Sequence, residues 1–206
     1  MKRFGIVFEI VHVVALAMWL GGVVMAGLAA AIIFPTVRSL EPRLATYPDY
    51  TGDHWMLAAG KVAARIFHAT DIAQGVCGVL AVVSAAVLGL SGTIAYRRPA
   101  GLVWLGGLIA SVGVLAASLL WLRPRMDANL HAYWDAALAG NNPVAETARR
   151  AFSADHPLAS NLMAATAACV LATLIAHIVA ARTSKPSGLA PSPNGADAPA
   201  SPHKTA

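Results

Sequence analysis

Four long apolar runs without a charged residue dominate the pattern of hydrophobic and polar positions along this chain. They are Val13–Phe34, Ile72–Tyr96, Pro99–Leu122 and Leu158–Ala181. A helix rises about 1.5 Å per residue, so about 20 apolar residues cross the ~30 Å hydrocarbon core of a bilayer. All four runs are long enough. They predict an all-α integral membrane protein with four transmembrane helices, the first starting near residue 8.

The amino-acid composition agrees with a location in the membrane. The chain is 57% hydrophobic and 12% charged, with a mean hydropathy of +0.62. A soluble four-helix bundle would show a polar stripe along each helix, whereas these runs are apolar on all sides. The net charge of +5 comes from Lys and Arg at the predicted helix ends, where they suit lipid headgroups. We therefore expect the lipid bilayer, and no nucleic acid, as a partner.

The segments between the spans predict helical extensions beyond the bilayer on one side. A tight turn from Ala95 to Gly101 joins the middle spans, so the two longer connections lie on the same side. The sequence over His54–Asp71 is helix-forming, with Thr51 or Asp53 as its cap, and Met126–Ala139 continues span three. Gly140 to Pro143 then predicts a stop and a restart, with Asn142 as the cap and Pro143 in the first turn.

Residues 1–182 form the predicted transmembrane domain, and residues 183–206 form a Pro-, Ser- and Ala-rich tail that we expect to be disordered. The first apolar run is longer than the ~7–15 residues of a secretory signal, so it is interpreted as a retained span. Four spans place both termini on one side. The distribution of Lys and Arg favours the cytoplasm, in a bacterial inner (plasma) membrane. Cys77 and Cys169 lie in separate spans and form no CxxC pair.

Prolines and small residues give further expectations. Pro35 is expected to end span one, Pro124 to end span three, and Pro157 to open span four, each kinking or breaking its helix. Glycines recur in the first three spans and favour close helix packing. They also allow another membrane helix, from a partner protein or a second copy, to pack against the bundle.

Polar residues gather near the ends of spans on the side of the long connections. His68 and Asp71 are three residues apart, and Arg123 and Asp127 are four apart, so each pair lies on one helix face. These residues predict a ligand-binding pocket near one membrane face. Its candidate residues are His68, Asp71, Arg123, Asp127, Asp155, His156 and Asn161. The alternative is that these charges pair with one another or reach the headgroups.

A second polar group lies in the other leaflet. Glu9 and His12 form an E-x-x-H at helical spacing, and His177 near the end of span four lies at the same depth. Such a unit is part of carboxylate metal sites in bundles, but only one is present, and a structural pair is the favoured interpretation. The pairs His12 with His177 and His68 with His156 are also candidate haem ligands, one pair in each leaflet. Haem or a transition metal is thus an open cofactor, and neither is favoured.

Two motifs resemble a known family. The opening His12-Val-Val-Ala-Leu-Ala-Met-Trp-Leu-Gly-Gly22 and the segment Asp155-His-Pro-Leu-Ala-Ser-Asn-Leu162 are similar to the family called domain of unknown function 4149, which includes the transmembrane-protein-205 group. The opening is also similar to CopD-type copper-resistance membrane proteins and to the haem-associated protoporphyrinogen oxidase of bacteria. The first resemblance implies four spans with extensions on one side and no settled activity. The others imply metal or haem.

No Ser/His/Asp array, phosphate loop or pair of catalytic carboxylates indicates an enzyme. The favoured function is therefore non-enzymatic binding or handling of a small ligand, ion or lipid. A haem- or metal-binding redox protein and a structural subunit of a membrane complex are the alternatives.

Overall fold

The structure, a computed structural model, describes residues 2–92 and 99–183 and is almost entirely helical there. Its helices are α1 (Lys2–Ser39), α2 (His54–Leu90), α3 (Pro99–Ala117), α4 (Arg123–Leu138) and α5 (Asn142–Thr183). A π-helical turn over Ser118–Leu122 joins α3 to α4 in one continuous rod. The described residues contain no strand. The predicted all-α fold, with four helices long and apolar enough to cross a membrane, is confirmed.

The four rods form two antiparallel pairs. Helix α1 packs against α2, the α3–α4 rod packs against α5, and α1 also contacts α5. The centre is filled by large side chains from all four rods, including Leu16, Trp19, Leu88, Trp104 and Val170. Close packing also needs small residues. A Cβ at Gly107 of α3 would lie 2.6 Å from Oγ1 of Thr173 on α5.

The outer surface of the bundle is apolar. Met18, Ile32, Val79 and Ile109, from three different rods, are each more than 60% exposed. Exposing so many apolar side chains around one domain to water would be unfavourable, whereas lipid chains solvate them without cost. The chain is therefore an integral membrane protein.

Beyond the apolar spans, the helix ends form a second packed unit, which we call the outer lobe. Its core contains Tyr47 and Tyr50 from the loop after α1, Leu57 from α2, and Leu130 and Tyr133 from α4. The hydroxyl groups of Tyr50 and Tyr133 are 2.9 Å apart and share a buried hydrogen bond. The predicted helical extensions are thus present, and the loop between α1 and α2 packs against them.

The helix starts in the outer lobe differ in detail from the prediction. Asp53 precedes α2, but its side chain makes no capping hydrogen bond. At α5 the predicted cap, Asn142, is already helical, and Oδ1 of Asn141 accepts the N–H of Val144 (3.4 Å). Asn142 instead binds the loop between α1 and α2. Its Oδ1 accepts the N–H of Thr51 (2.9 Å), and its Nδ2 donates to the backbone carbonyl of Asp49 (3.1 Å).

The expectation that Pro35 ends span one and that Pro157 opens span four was wrong. Pro35 lies inside α1, which continues to Ser39, and Pro157 lies inside the unbroken α5. Packing against neighbouring helices keeps both helices continuous although each proline frees a carbonyl. Pro124 does coincide with an irregularity. The N–H of Arg123, just before it, bonds to the carbonyl of Ser118 five residues back, which is the π-helical turn.

The predicted end of span two and most of the predicted tail lie outside the described residues. Helix α2 ends at Leu90, earlier than the predicted Tyr96, because Gly92 takes a left-handed conformation (φ +67°) and closes the turn. Residues 95–98 of the predicted turn between spans two and three lie outside the described residues. Thr183 still belongs to α5, and the rest of the predicted tail, 184–206, lies outside the described part of the chain.

Candidate functional site

An open cleft of about 350 Å³ lies between α2 and α4, where these helices leave the apolar spans. We call it the interfacial cleft. Its wall is of mixed polarity, and its charged and imidazole side chains are Lys61, Arg65, His68, Arg123, Asp127 and His131. Leu130 and Trp134 complete the floor on the α4 side. Two turns of α2 and three turns of α4 supply these residues at intervals of three or four, which places them on facing helix surfaces.

Arg123 connects the two helices at the end of the cleft nearest the apolar spans. Its Nε lies 3.3 Å from Oδ2 of Asp71 on α2 and 3.3 Å from Oδ2 of Asp127 on its own helix. The side chains of Arg123 and Asp71 retain about a quarter of their exposure (25% and 21%), so the pair is only partly shielded from solvent. Four of the predicted ligand-binding residues, His68, Asp71, Arg123 and Asp127, therefore meet at this site.

The cations at the other end of the cleft, farther from the apolar spans, make weaker contacts with the protein. Nζ of Lys61 lies 5.0 Å from the ring centre of Tyr47 and 5.6 Å from that of Trp134, which are cation–π distances. Arg65 makes no hydrogen bond, ion pair or ring contact within residues 2–92 and 99–183. On α4, Nδ1 of His131 bonds to the carbonyl of Asp127 (2.8 Å), which holds the ring against the helix. Arg65 is thus a cation in the cleft without a partner in the described part of the chain.

A second, more open hollow of about 480 Å³ continues from the cleft towards the membrane. We call it the apolar extension. It shares His68, Arg123 and Asp127 with the cleft and adds Ile72 and Leu119, the first apolar residues below the charged level. Ile72 is 57% exposed, so its side chain faces the membrane. The polar site therefore opens directly onto the lipid-facing surface of the bundle.

The other three predicted ligand-binding residues do not line the cleft or its extension. Asp155 forms a two-pronged ion pair with Arg125, with Nε to Oδ2 at 2.9 Å, and so joins α5 to α4. His156 is exposed and contacts the ring of Phe152 on its own helix. Asn161 is exposed on α5. The predicted pair of His68 with His156 is not in ring contact, since the contact of His156 is with Phe152.

In the other leaflet, His12 lies at the centre of the bundle and is fully buried. Trp104 on α3 donates its indole N–H to Nε2 of His12 (2.9 Å), so Nε2 is the acceptor and the proton is on Nδ1. Nδ1 lies 3.0 Å from the carbonyl of Ala81 and 3.0 Å from Oγ of Ser84, both on α2. Each nitrogen of His12 is thus engaged in a hydrogen bond that joins α1 to another helix.

His177 on α5 completes this buried group but is bonded differently. It is 1% exposed, its ring centre lies 4.7 Å from that of His12, and neither of its nitrogens has a hydrogen-bond partner among the described residues. Glu9 is half-buried one turn before His12. The described residues contain no group of three or more His, Cys, Asp or Glu that could hold a metal ion.

The pair of His12 and His177 does not fit a haem held between two imidazoles. The rings are in direct contact at 4.7 Å between centres, which leaves no space for a porphyrin between them. The lone pair of His12 that would bind iron already accepts the N–H of Trp104. In this arrangement, His12 acts as the polar contact that holds the helices together.

Lys61, Arg65 and Trp134 line the cleft but were not among the predicted ligand-binding residues. The signal was present in the spacing: Lys61, Arg65, His68 and Ile72 follow one another at intervals of four, three and four, a single face of α2. Which helix that face meets could not be inferred, because spans that are apolar on all sides carry no information about helix rotation.

Comparisons with known proteins found no relative of this chain. No family model, curated protein or solved structure matches the chain. The resemblance to the domain of unknown function 4149 family and to CopD-type proteins therefore stays a prediction.

Proposed function

We propose that this membrane protein binds a small anionic ligand in the interfacial cleft. The observation that carries the proposal is Arg65, a cation on the wall of a preformed cleft with no partner in the described part of the chain. An unpaired cation near a membrane surface attracts anions, and a guanidinium suits phosphate or carboxylate because it offers a planar set of donors.

The balance of charge in the site supports an anion rather than a cation as the ligand. The cleft and its extension hold three cations, Lys61, Arg65 and Arg123, against the carboxylates of Asp71 and Asp127. Both carboxylates share the single guanidinium of Arg123, so the whole site keeps a net charge of +1. The positive charge that remains is located at Lys61 and Arg65.

The competing interpretation is that the charges have only structural roles. It fits Arg125 with Asp155 and Arg149 with Glu146, which are paired and lie away from the cleft. Arg65 differs from these residues because it is exposed on the cleft wall and forms no ion pair in the described part of the chain.

Titration of the full-length protein in detergent tests the proposal. Two anionic probes are used, sn-glycerol 3-phosphate and a short-chain phosphatidylglycerol, and isothermal titration calorimetry measures their binding. We expect saturable binding of at least one probe, weakened about fivefold in Arg65→Gln, since one basic residue near a membrane surface contributes ~1 kcal/mol. Arg150→Gln is the matched control, because Arg150 is an exposed cation outside the cleft (75% side-chain exposure). If neither probe binds, the proposal is wrong.

A metal-binding function is a second candidate because of one observation, the two nitrogens of buried His177 that have no hydrogen-bond partner in the described part of the chain. Elemental analysis of the purified protein, with absorption spectra of the same sample, tests it. A stoichiometric metal that disappears in His177→Leu would support this function. A colourless protein without stoichiometric metal would exclude it.

The orientation in the membrane is also a proposal. We infer that both termini face the cytoplasm of a bacterial inner membrane, which places the outer lobe and the interfacial cleft on the opposite side. Single cysteines introduced into a chain with Cys77 and Cys169 replaced would test this. Labelling of intact cells by a membrane-impermeant maleimide at position 146 of the outer lobe is the expected result, and no labelling there would reverse the orientation.

A further inference from the structure

We infer that the ligand of the interfacial cleft is the phosphate-bearing headgroup of an anionic lipid of the surrounding membrane, with an acyl chain lying in the apolar extension. This inference rests on the proposed function and names the class of its ligand. It is carried by the direct continuity between a cationic cleft and an apolar hollow at one depth in the bundle.

Together, the two hollows offer a charged region for a lipid headgroup and an apolar region for its acyl chain. The cleft offers Arg65 and Lys61 to an anionic group, and the apolar extension begins at Arg123 and passes to Ile72 and Leu119. A soluble anion would use only the first part. An amphiphile with a charged head and an apolar chain would fill both, and burying its chain against Ile72 and Leu119 adds apolar contact.

The depth of the site agrees with a headgroup. Ile72 is the first residue of the second apolar run, and Arg123 follows the last residue of the third, so the charged level coincides with the end of the spans. Beside it, the guanidinium of Arg125 lies 5.2 Å from the ring centre of Trp121, whose side chain is 57% exposed. Tryptophan and arginine at this level are typical of the membrane–water interface.

The π-helical turn builds the wall where the two hollows meet. Pro124 has no N–H and cannot continue the normal hydrogen-bond pattern, and the N–H of Arg123 reaches back five residues to Ser118. Leu119 and Arg123 lie four residues apart across this turn, and both line the apolar extension.

The membrane itself supplies the ligand at high local concentration, so weak contacts are sufficient. Anionic lipids need only diffuse within the leaflet to reach a hollow whose apolar wall is exposed to them. The open mouth beside Ile72 provides that lateral entry.

Native mass spectrometry of the full-length protein, released from vesicles of equal parts phosphatidylglycerol and phosphatidylcholine, tests the inference. We expect phosphatidylglycerol to be retained in preference to phosphatidylcholine, and this preference to be lost in Arg65→Gln. Ile72→Ser should weaken retention of phosphatidylglycerol roughly fivefold through the loss of apolar contact. Val103→Ser, an equally exposed change near the start of α3 in the other leaflet (61% exposed), should have no effect.

The outcomes separate the two proposals. If sn-glycerol 3-phosphate binds the purified protein as tightly as short-chain phosphatidylglycerol, the ligand is a soluble anion: the proposed function holds and the lipid inference is overturned. Retention of both lipids in equal amounts also overturns the inference. If no anionic probe binds in any form, both proposals fail. Thermal unfolding midpoints of Arg65→Gln and Ile72→Ser close to that of the wild type show that the comparison is made on folded protein.

Discussion

The indole N–H of Trp104 donates to Nε2 of His12 across 2.9 Å in the centre of the bundle, and so determines which nitrogen of His12 carries the proton. With the proton on Nδ1, His12 can donate to the carbonyl of Ala81 and to Ser84 on α2. One residue of α1 thereby joins α2 and α3, and it touches His177 of α5. Hydrogen bonds of this kind are valuable inside a membrane, where apolar contacts alone do not select a neighbour.

Trp104→Phe should destabilise the protein by about 1–3 kcal/mol, because it leaves the acceptor Nε2 of His12 buried and unpaired. Thermal unfolding in detergent measures this as a lower midpoint. Trp121→Phe is the control, since Trp121 is 57% exposed and lies at the membrane boundary. Equal midpoints for Trp104→Phe and the wild type would show that the hydrogen bond has no role in stability.

His177→Leu should leave the free energy of unfolding unchanged or raise it by up to ~1 kcal/mol, because it removes a buried imidazole that has no hydrogen-bond partner in the described chain. His12→Leu should lower it, because the donor of Trp104 then loses its acceptor. The two variants are compared by thermal unfolding. A large loss of stability in His177→Leu would mean that a water, metal or other ligand satisfies this imidazole.

The two ion pairs near the membrane surface should respond differently to removal of a carboxylate. Asp71→Asn removes a negative charge 3.3 Å from Arg123 in the cleft, so binding of an anion should strengthen about fivefold. Asp155→Asn should leave binding unchanged, because Asp155 pairs with Arg125 away from the cleft. Titration with short-chain phosphatidylglycerol measures both. Equal effects would place Asp155 in the binding site, as the sequence predicted.

Gly140→Ala should destabilise the outer lobe by more than the ~1–2 kcal/mol that a left-handed residue costs. Gly140 has φ +68°, and an added Cβ would lie 2.8 Å from Cβ of Asp49. Gly92→Ala is the matched control, because Gly92 has φ +67° but open space around it. Thermal unfolding in detergent measures the difference. Equal midpoints for the two variants would contradict the close approach of the loop to Gly140.

Much of the architecture could be predicted because apolar length and helix punctuation are local properties. The four spans, the extension starting at His54 and the restart after Gly140 follow from them. The helix-ending effect of proline was overestimated: Pro35 and Pro157 lie inside continuous helices, because packing can keep a helix continuous where one hydrogen bond is missing.

The site was predicted in part for a related reason. Spacing within a helix correctly placed His68 with Asp71 and Arg123 with Asp127, but it does not determine how one helix is rotated against another. His156 and Asn161 were therefore assigned to the pocket although both are exposed on α5. The π-helical turn before Pro124 adds a rotation that no periodicity in the sequence reveals.

The most direct test of the central claim is the dissociation constant of short-chain phosphatidylglycerol for the wild type, Arg65→Glu and Arg65→Lys. Reversing the charge at Arg65 should weaken binding about 25-fold, as expected for two units of charge, and Lys should restore most of it. Binding to Arg65→Glu as tight as to the wild type would contradict an anion site in the interfacial cleft.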